Sequence, residues 1–515
     1  MADLAPEVLT PLSTPDRVES RIGALEFTDG APSRKTVETL YDHLDFVHAL
    51  NAFLTAFPAA STQAIREGFL SIGVEDNSVL IFSELMDSSS RFLTANADTV
   101  YYLSFVDLSQ GPMVVETPPE ALGVFDDMWF QWIVDFGLPG PDRGAGGKFL
   151  LLPPGYDGTL PEGGFYVGHS RTNRVIMLGR SFMQDSDPAP TVATIKAAIK
   201  IYPYAVGGPG TSVATILGGT LGLPAPPAAI PETTFVEGTG LTFNTIPPVD
   251  IGFFEIVHRQ LQEEPVDATD AEIVGHLAEV GIKKGKPFAP DDRMRRILEE
   301  AAAVGNATSR ALTFDARGEE DVFYYPDSAW TAMLFGGGYR FDAPIPAVTA
   351  DGIKPYPSEG RKHDLRTLFF YGYTGITPAM AMRLTGIGSQ YLVAFLDSNK
   401  DFFDGARSYT VTLPPDIPDA RFWSLTLYDN QTRSMLVTPQ RFPRAGSQSY
   451  PSPAATADAD GSTTIHFGPE RPAGVADGNW IQTMPAKGYF VILRLYSPLQ
   501  PFFDKSWQVG EIKPS

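Results

Sequence analysis

The stretch that decides the fold is residues 96–119, NADTVYYLSFVDLSQGPMVVETPP. Two runs rich in β-branched and aromatic residues, Val100–Val106 and Pro112–Glu116, flank an Asp-Leu-x-x-Gly-Pro turn. Polar residues precede the first run, and the binding or catalytic residues of β-folds are commonly found at the ends of strands and in the adjoining loops. The stretch therefore predicts a β-rich domain with a candidate site at its strand ends.

Similar β patterns occur on both sides of a helical middle. Period-two runs separated by Pro-Gly and Gly-Gly turns are typical of antiparallel sandwiches. In the first half these runs are Trp129–Phe136, Lys148–Leu152, Gly164–Val167 and Arg174–Leu178; in the second they are Tyr391–Leu396, Ser408–Leu413, Phe422–Tyr428, Thr463–Phe467 and Tyr489–Tyr496. The predicted fold class is mainly β (α+β), with two antiparallel β-sandwich or jelly-roll-like domains joined by a helical segment.

Domain boundaries follow from changes in this pattern. We expect an N-terminal arm at 1–34, a first β-domain with helices at 35–250, a helical connector at 251–312 and a second β-domain at 313–515. Apolar residues at spacings of three and four predict helices at Ser33–Phe57, Phe253–Leu261, Asp270–Val280 and Asp291–Leu312. A shorter helix is predicted at Thr191–Ile201.

Composition excludes several classes of protein. The chain has 515 residues, a formal net charge of −22 and no cysteine. Thiolate zinc sites, iron–sulfur clusters and disulfides are therefore absent, and the negative charge opposes nucleic-acid binding. No apolar run is long enough to predict a membrane span, and the first residues show no signal peptide. We expect a cytoplasmic protein, or a secreted or periplasmic one if a signal was removed.

Sequence motifs for nucleotide or redox cofactors are also lacking. Gly144–Lys148 is followed by Phe149 instead of Ser or Thr and a helix, so it is no phosphate-binding loop. No dinucleotide fingerprint and no HExxH are present. We expect no nucleotide or redox cofactor.

The first candidate site combines Asn96, Asp98 and Tyr101 with Asp135. Two carboxylates about 5–10 Å apart can serve glycoside hydrolysis, and Asp98 and Asp135 would supply them as catalytic residues. Asn96 and Tyr101 would bind the substrate. The alternative is that Asn96 and Asp98 form an Asx turn that begins the strand.

Two neighbouring segments extend this candidate site. Alternation in a strand over residues 129–135 would place Trp129, Gln131 and Asp135 on one face, which suits a ligand surface or the solvent face of an edge strand. In the polar hairpin at 169–174, His169 is a candidate general base and Arg171 a candidate substrate ligand.

Two further candidates lie in the second half. Asp397, Asn399 and Asp401 match the first ligands of a calcium loop, although Phe402 stands where that loop has glycine. The choice is between a calcium-like divalent cation and a plain hairpin turn. Arg494, with Tyr496 on the same strand, would need a carboxylate partner if buried, or it could bind an anionic substrate.

The same residues resemble a known family. NADTVYY, DLSQGPMVVETPP, WIVDFG and GGKFLLLPPGY are similar to domain of unknown function 1254 (DUF1254). YLVAFLDSNKDFFDGARSYTVTLPP, RFWSLTLYD, GNWIQTMP and LRLYSP are similar to domain of unknown function 1214 (DUF1214). The resemblance implies two β-domains of sandwich or jelly-roll type joined by helices, and it implies no catalytic residue.

The sequence is compatible with two functions. One is a cofactor-independent or cation-assisted hydrolase or lyase acting on a small polar or glycosidic substrate. The other is a non-catalytic ligand-binding or assembly protein, for a small molecule or a glycan. The apolar, Gly/Pro-rich segment 206–250 is expected to cover the chain's own second domain, and we also expect a homodimer.

Overall fold

The computed structural model describes residues 10–161, 163–205, 208, 217, 230–317, 322–332, 338–343, 347–349, 352–354 and 360–515. Residues 206–229, apart from 208 and 217, lie outside the described residues, and with them about half of the predicted covering segment 206–250. The described chain is a β-rich α+β structure, as predicted.

Two sheets form the first β-domain. The first sheet has six strands, in the spatial order Phe235–Glu237, Val79–Ile81, Val100–Asp107, Arg174–Ser181, Ala121–Asp127 and Trp132–Gly137. The second has four strands, in the order Tyr166–His169, Gly147–Leu152, Met113–Thr117 and Lys200–Pro203. The first pair in each sheet is parallel and the other pairs are antiparallel. Val79, Tyr102, Phe125, Phe149 and Met177 pack between the sheets.

The second β-domain has the same two-sheet plan. Its six-stranded sheet follows the order Trp330–Thr331, Ser389–Ala394, Gly488–Pro498, Asp419–Asp429 and Arg444–Gly446, and Phe403–Asp404 pairs with Gly488–Pro498. Its four-stranded sheet follows the order Trp480–Gln482, Thr463–Gly468, Tyr409–Leu413 and Lys513–Pro514. Phe403 and Tyr409 pack between the two sheets, with ring centroids 5.3 Å apart.

Helices from both halves of the chain form one packed group. In the part of the chain that the structure describes, the α-helices are Arg34–Thr55, Phe57–Ser71, Ala189–Ala198, Gly252–Glu263, Ala271–Glu279, Asp292–Phe314, His363–Gly372, Pro378–Ala381 and Gln500–Phe503, and 3₁₀ turns span Val266–Ala268 and Asp477–Asn479. The rings of Phe53 and Phe253 pack with centroids 4.3 Å apart, and those of Phe57 and Tyr371 with centroids 5.4 Å apart. Among the residues described, no helix is long and apolar enough to span a membrane.

Several elements differ from the sequence predictions. Residues in the predicted arm form a small sheet of Arg17–Ser20, Gly23–Thr28 and Ala31–Pro32. Short two-stranded pairs join Asp342–Ala343 to Gly360–Arg361 and Ala347–Thr349 to Gly352–Lys354. The strand Ala121–Asp127 and the helix His363–Gly372 have no counterpart among the predicted elements, and both contribute to the cavity described below.

The strand predicted to begin at Trp129 begins at Trp132 instead. A turn precedes it because Asp127 Oδ1 accepts the backbone amides of Trp129 at 2.8 Å and Gln131 at 2.9 Å. Phe130, inside this turn, has a φ of 50°. The strand alternation predicted for Trp129 and Gln131 therefore does not apply to them.

Candidate functional site

A cavity of about 180 Å³ lies between the six-stranded sheets of the two domains. This volume corresponds to about six water molecules of the bulk liquid, enough for a small organic molecule. Its walls are mainly apolar, with Leu103, Leu122, Val124 and Leu178 on one side and Phe369, Met380, Ile387, Val393 and Ile492 on the other. The residues with polar side chains at its wall are Thr94, Asn96, Tyr101, Asp135, Arg180, Tyr373, Thr374, Thr377, Ser389, Tyr391 and Arg494.

Arg180 reaches from the first domain to the second. Its Nη1 donates to Tyr101 Oη at 3.3 Å and to Tyr391 Oη at 3.1 Å, and its Nη2 donates to Ser389 Oγ at 2.7 Å. Tyr101 lies directly opposite Arg180 on the neighbouring antiparallel strand. Burial alone would lower the pKa of Arg180, but the surrounding tyrosine hydroxyls outweigh burial and raise it.

Arg494 provides a second guanidinium at the same cavity. It lies opposite Tyr391 on the adjacent antiparallel strand. Its Nη2 donates to Tyr428 Oη at 2.6 Å and to the Thr94 carbonyl at 3.1 Å, and its Nη1 donates to Thr426 Oγ1 at 3.2 Å. Its Nε is buried and has no hydrogen-bond partner among the described residues.

Neither guanidinium forms an ion pair with a carboxylate in the part of the chain that the structure describes. Their hydrogen-bond acceptors are hydroxyl and carbonyl oxygens, and none of them is a carboxylate. Arg494 is buried and Arg180 half-buried, and a cation removed from water is stabilised by a negatively charged partner, so the two at one cavity indicate a place for a negative charge. This arrangement favours the anionic-substrate alternative for Arg494.

Tyr391 lies where these cations converge. Its hydroxyl accepts from Arg180 and lies 2.7 Å from Ser389 Oγ, and the Arg494 guanidinium is 5.7 Å from its ring centroid. Burial works against ionisation of Tyr391, yet Arg180, Ser389 and Arg494 together lower its pKa below that of an ordinary tyrosine. Burial instead raises the pKa of Tyr101.

Asp135 stands on the first-domain wall of the cavity and is 7% exposed. Burial raises its pKa to about 7, although Thr377 and Trp132 act in the opposite direction. Asp126 lies fully buried nearby, where burial together with Asp127 and Asp135 holds its pKa well above the ordinary range. A large fraction of Asp135 is therefore protonated at neutral pH and can donate a proton.

Asp98 belongs to a different environment from Asp135. Its side chain is fully buried and pairs with Arg444 Nε at 2.8 Å. Ser424 Oγ and Tyr496 Oη donate to its second oxygen at 2.6 and 2.9 Å. Because Asp98 does not line the cavity and its oxygens already have partners, the geometry favours a structural role for it.

The predicted substrate residues divide between two places. Asn96 and Tyr101 line the cavity. Asn96 Nδ2 donates to Tyr496 Oη at 2.6 Å, and its Oδ1 accepts the Asp98 amide at 2.8 Å, which is the predicted Asx turn. Trp129 and Gln131 do not line the cavity: Trp129 is buried, and Gln131 Nε2 donates to the Ala268 carbonyl at 2.9 Å.

His169 and Arg171 lie outside the cavity as well. Both side chains are exposed in the hairpin, and Arg171 Nε approaches Asp127 Oδ2 at 3.4 Å. Arg171 and the amides around Asp127 lower the pKa of that carboxyl, but burial dominates and raises it to about 6. Arg171 thus contributes to the turn that ends the strand Ala121–Asp127.

The predicted calcium turn is held by its own hydrogen bonds. Asp397 Oδ1 accepts the amides of Asn399 at 2.7 Å and Asp401 at 3.1 Å, and the side chains of Asn399 and Asp401 are exposed. Across the described ranges, no group of three or more His, Asp or Glu side chains is placed to hold a metal ion. The hydrogen bonds account for the turn without a cation, and the cation site stays a prediction.

Sequence reasoning missed Arg180, Ser389 and Tyr391 as site residues. Arg180 is a charged residue near the end of the mainly apolar strand RVIMLGRS, and this position is the one sequence feature that could have indicated a site residue. Two of its partners, Ser389 and Tyr391, belong to the other domain and are 209 and 211 positions away in the chain. The pattern of a single strand cannot reveal such a pairing.

Comparison with known families agrees with the resemblance seen in the sequence. Residues 77–203 match the family model described as "Protein of unknown function (DUF1254)", and residues 388–500 match "Protein of unknown function (DUF1214)". The predicted resemblance is confirmed, and the chain carries a DUF1254 region followed by a DUF1214 region. No curated protein matches the chain significantly.

Comparison with solved structures aligns two proteins with nearly the whole chain. The VPA0106 protein from Vibrio parahaemolyticus is 17% identical, with 92% of this chain and 100% of that chain covered and a TM-score of 0.48. A putative uncharacterized protein from Burkholderia cenocepacia is 12% identical, with 93% and 98% covered and a TM-score of 0.38.

Proposed function

We propose that this protein binds a small organic carboxylate in the cavity between its two six-stranded sheets. The observation that carries the proposal is the pair Arg180 and Arg494. One guanidinium is half-buried and the other buried, both line one cavity, and neither forms an ion pair with a described carboxylate. A guanidinium presents donors in a planar fork that matches a carboxylate.

The rest of the cavity supports an apolar body for the ligand. Leu103, Leu178, Met380, Val393 and Ile492 surround the space next to the arginines. Small-molecule sites are commonly apolar with a few convergent polar groups that fix orientation. A carboxylate joined to a short aliphatic or aromatic group fits both the lining and the volume.

The glycosidase-like hypothesis has less support. It requires two carboxylates that face one substrate, whereas Asp135 lines the cavity and Asp98 is bonded to Arg444, Ser424 and Tyr496. A mainly apolar lining also offers few partners for the hydroxyls of a sugar. Asp135 alone still favours a second candidate function, a cofactor-independent lyase or hydrolase acting on the bound carboxylate.

Binding can be tested with matched pairs of probes. Benzoate and benzamide share their shape but differ in charge, and so do phenylacetate and phenylacetamide. We expect only the carboxylates to raise the melting temperature and to give saturable heats in calorimetry, because a ligand that binds the folded state stabilises it. Inorganic phosphate tests whether any anion is sufficient.

Variants connect binding to the site. We expect Arg180→Gln and Arg494→Gln to weaken carboxylate binding at least tenfold, since each removes one cationic donor of the pair. The exposed Arg17, which pairs with Glu19 in the N-terminal sheet, gives a matched control in Arg17→Gln. Equal binding of benzamide and benzoate, or wild-type affinity in both cavity variants, would overturn the proposal.

A further inference from the structure

We infer that the cavity catalyses proton transfer on its bound carboxylate, with Tyr391 removing a proton from a carbon of the substrate and Asp135 donating one from the opposite wall. This inference rests on the carboxylate binding proposed above and adds a reaction to it. Tyr391 comes from the strand Ser389–Ala394 of the second domain and Asp135 from the strand Trp132–Gly137 of the first. Both side chains line the same cavity.

The surroundings of Tyr391 suit a phenolate. Its Oη receives a hydrogen bond from Arg180 at 3.1 Å, and Ser389 Oγ, 2.7 Å away, can donate a second because Ser389 itself accepts from Arg180. The titratable groups that act on Tyr391 are Arg180 and Tyr101 from the first domain, and Arg494, Tyr373 and Tyr496 from the second. Two of these five are cations and none is a carboxylate, so the field at the hydroxyl favours a negative oxygen.

The surroundings of Asp135 favour its neutral, protonated form. Its carboxyl is buried beside apolar Val124, near the buried Asp126, with Thr377 as a hydrogen-bonding neighbour. Arg180 and Arg494 form no ion pair with it. Two titratable groups whose environments shift their pKa values in opposite directions are typical of a catalytic acid and base. One wall of the cavity thus holds a base and the other holds an acid.

A 2-oxo carboxylate is the substrate class that uses every one of these groups. Its carboxylate pairs with the arginines, and its C3–H bond and carbonyl oxygen are the reacting positions. Tyr391 phenolate takes the C3 proton, the C–H electron pair becomes the C2–C3 double bond, and the carbonyl oxygen takes the Asp135 proton. The product is the enol of the same composition, while Tyr391 is left neutral and Asp135 ionised.

The reverse step or exchange with water restores both groups, so no oxidant, reductant or co-reactant is consumed. Arg494 and Arg180 stabilise the developing negative charge on the substrate. Proton transfer by a positioned side chain is typically worth about 10²–10⁴ in rate. The predicted activity is the keto–enol isomerisation of a small 2-oxo acid.

Carbon–hydrogen exchange detects this step without knowledge of the natural substrate. The probes are 2-oxobutanoate and phenylpyruvate in deuterium oxide, with loss of the C3 proton signal followed by NMR. We expect the wild type to accelerate exchange above the buffer rate. We expect Tyr391→Phe and Asp135→Asn to reduce the enzymatic rate at least 100-fold while changing probe affinity less than about threefold.

The control variant is Tyr41→Phe, because Tyr41 is 62% exposed on a helix away from the cavity. It should exchange at the wild-type rate. Binding of the probes by the wild type without faster exchange would overturn the catalytic inference and leave carboxylate binding intact. Absence of binding would instead overturn the proposed function and, with it, the reaction.

A second measurement needs no substrate. Ultraviolet difference titration counts tyrosinate as pH rises. We expect one tyrosine of the wild type to ionise at a lower pH than the others, and we expect this step to be absent from Tyr391→Phe and present in Tyr41→Phe. Ionisation of all tyrosines in a single high-pH transition would overturn the role of Tyr391 as base, whatever the exchange experiment shows.

Discussion

Arg180 Nη1 donates to Tyr391 Oη at 3.1 Å, although the two residues belong to different β-domains and are 211 positions apart in sequence. Arg180 also lies opposite Tyr101 on a neighbouring strand of its own sheet, and Tyr391 lies opposite Arg494 on a neighbouring strand of the other sheet. All four residues line the cavity. The site is therefore built from two cross-strand pairs brought face to face. Neither domain alone contains it.

This arrangement makes a prediction about stability. Arg180→Gln should change the free energy of unfolding by less than about 1 kcal/mol, or raise it, because it removes a half-buried cation that has no carboxylate partner among the described residues. Arg444→Gln should lower it by about 3–5 kcal/mol, because it leaves the Asp98 carboxylate buried without its partner at 2.8 Å. Midpoints of urea unfolding at constant slope measure both. Equal losses would show that Arg180 is a structural residue.

Asp98 gives a second prediction, since its pairing favours a structural role. Asp98→Asn alone should lower the free energy of unfolding by about 3–5 kcal/mol, because Arg444 then loses its counter-ion. In the double variant Asp98→Asn/Arg444→Met, no buried charge of the pair remains, so the loss should be smaller than the sum of the two single losses. A double-mutant cycle in urea measures this coupling, and additive losses would contradict the ion-pair interpretation.

The pH dependence of stability offers a third prediction. Burial raises the pKa of Asp135 to about 7, whereas an unfolded aspartate titrates near 3.9. The folded state therefore holds this proton more tightly than the unfolded state does. Its contribution to stability is fully present below about pH 4 and is lost as pH rises to about 7, by up to about 4 kcal/mol.

Asp135→Asn removes the titration of this group, so its unfolding free energy should fall less between pH 4 and pH 7 than that of the wild type. Asp157→Asn, at an exposed turn, controls for the loss of one negative charge. Thermal or urea unfolding across this range measures the difference. If the free energies of unfolding of the wild type and Asp135→Asn change with pH in parallel, burial does not raise the pKa of this carboxyl.

The sequence predicted the fold better than it predicted the site. Runs such as Val100–Val106 and Tyr489–Tyr496 alternate clearly and lie within the observed strands Val100–Asp107 and Gly488–Pro498. The sequence pattern did not predict the strand Ala121–Asp127, because Gly123 and two acidic residues interrupt its apolar pattern. A side chain at Gly123 would collide with Phe136, since a Cβ would lie 2.0 Å from that ring.

Site residues were predictable where one segment determined their environment. The Asx turn of Asn96 involves residues two positions apart, and Asp135 belongs to a recognisable strand. The partner of Asp98 could not be found in this way, because Arg444 is 346 positions away. Arg494 was recognised as a residue that needs an anion, but only the structure shows that Arg180 joins it at the same cavity.

The turn at Asp397 gives the last prediction. Its Oδ1 accepts the amides of Asn399 and Asp401, so Asp397→Ala should lower the free energy of unfolding by about 1–3 kcal/mol through the loss of a buried acceptor. Asp397→Asn keeps an oxygen at this position and should cost less than Asp397→Ala. Because these bonds account for the turn, we expect the melting temperature of the wild type to be the same in chelator and in added calcium. A rise with calcium in the wild type that is absent from Asp397→Asn would contradict this expectation and establish the cation site instead, since calcium binds carboxylate oxygens and the amide variant lacks the charge.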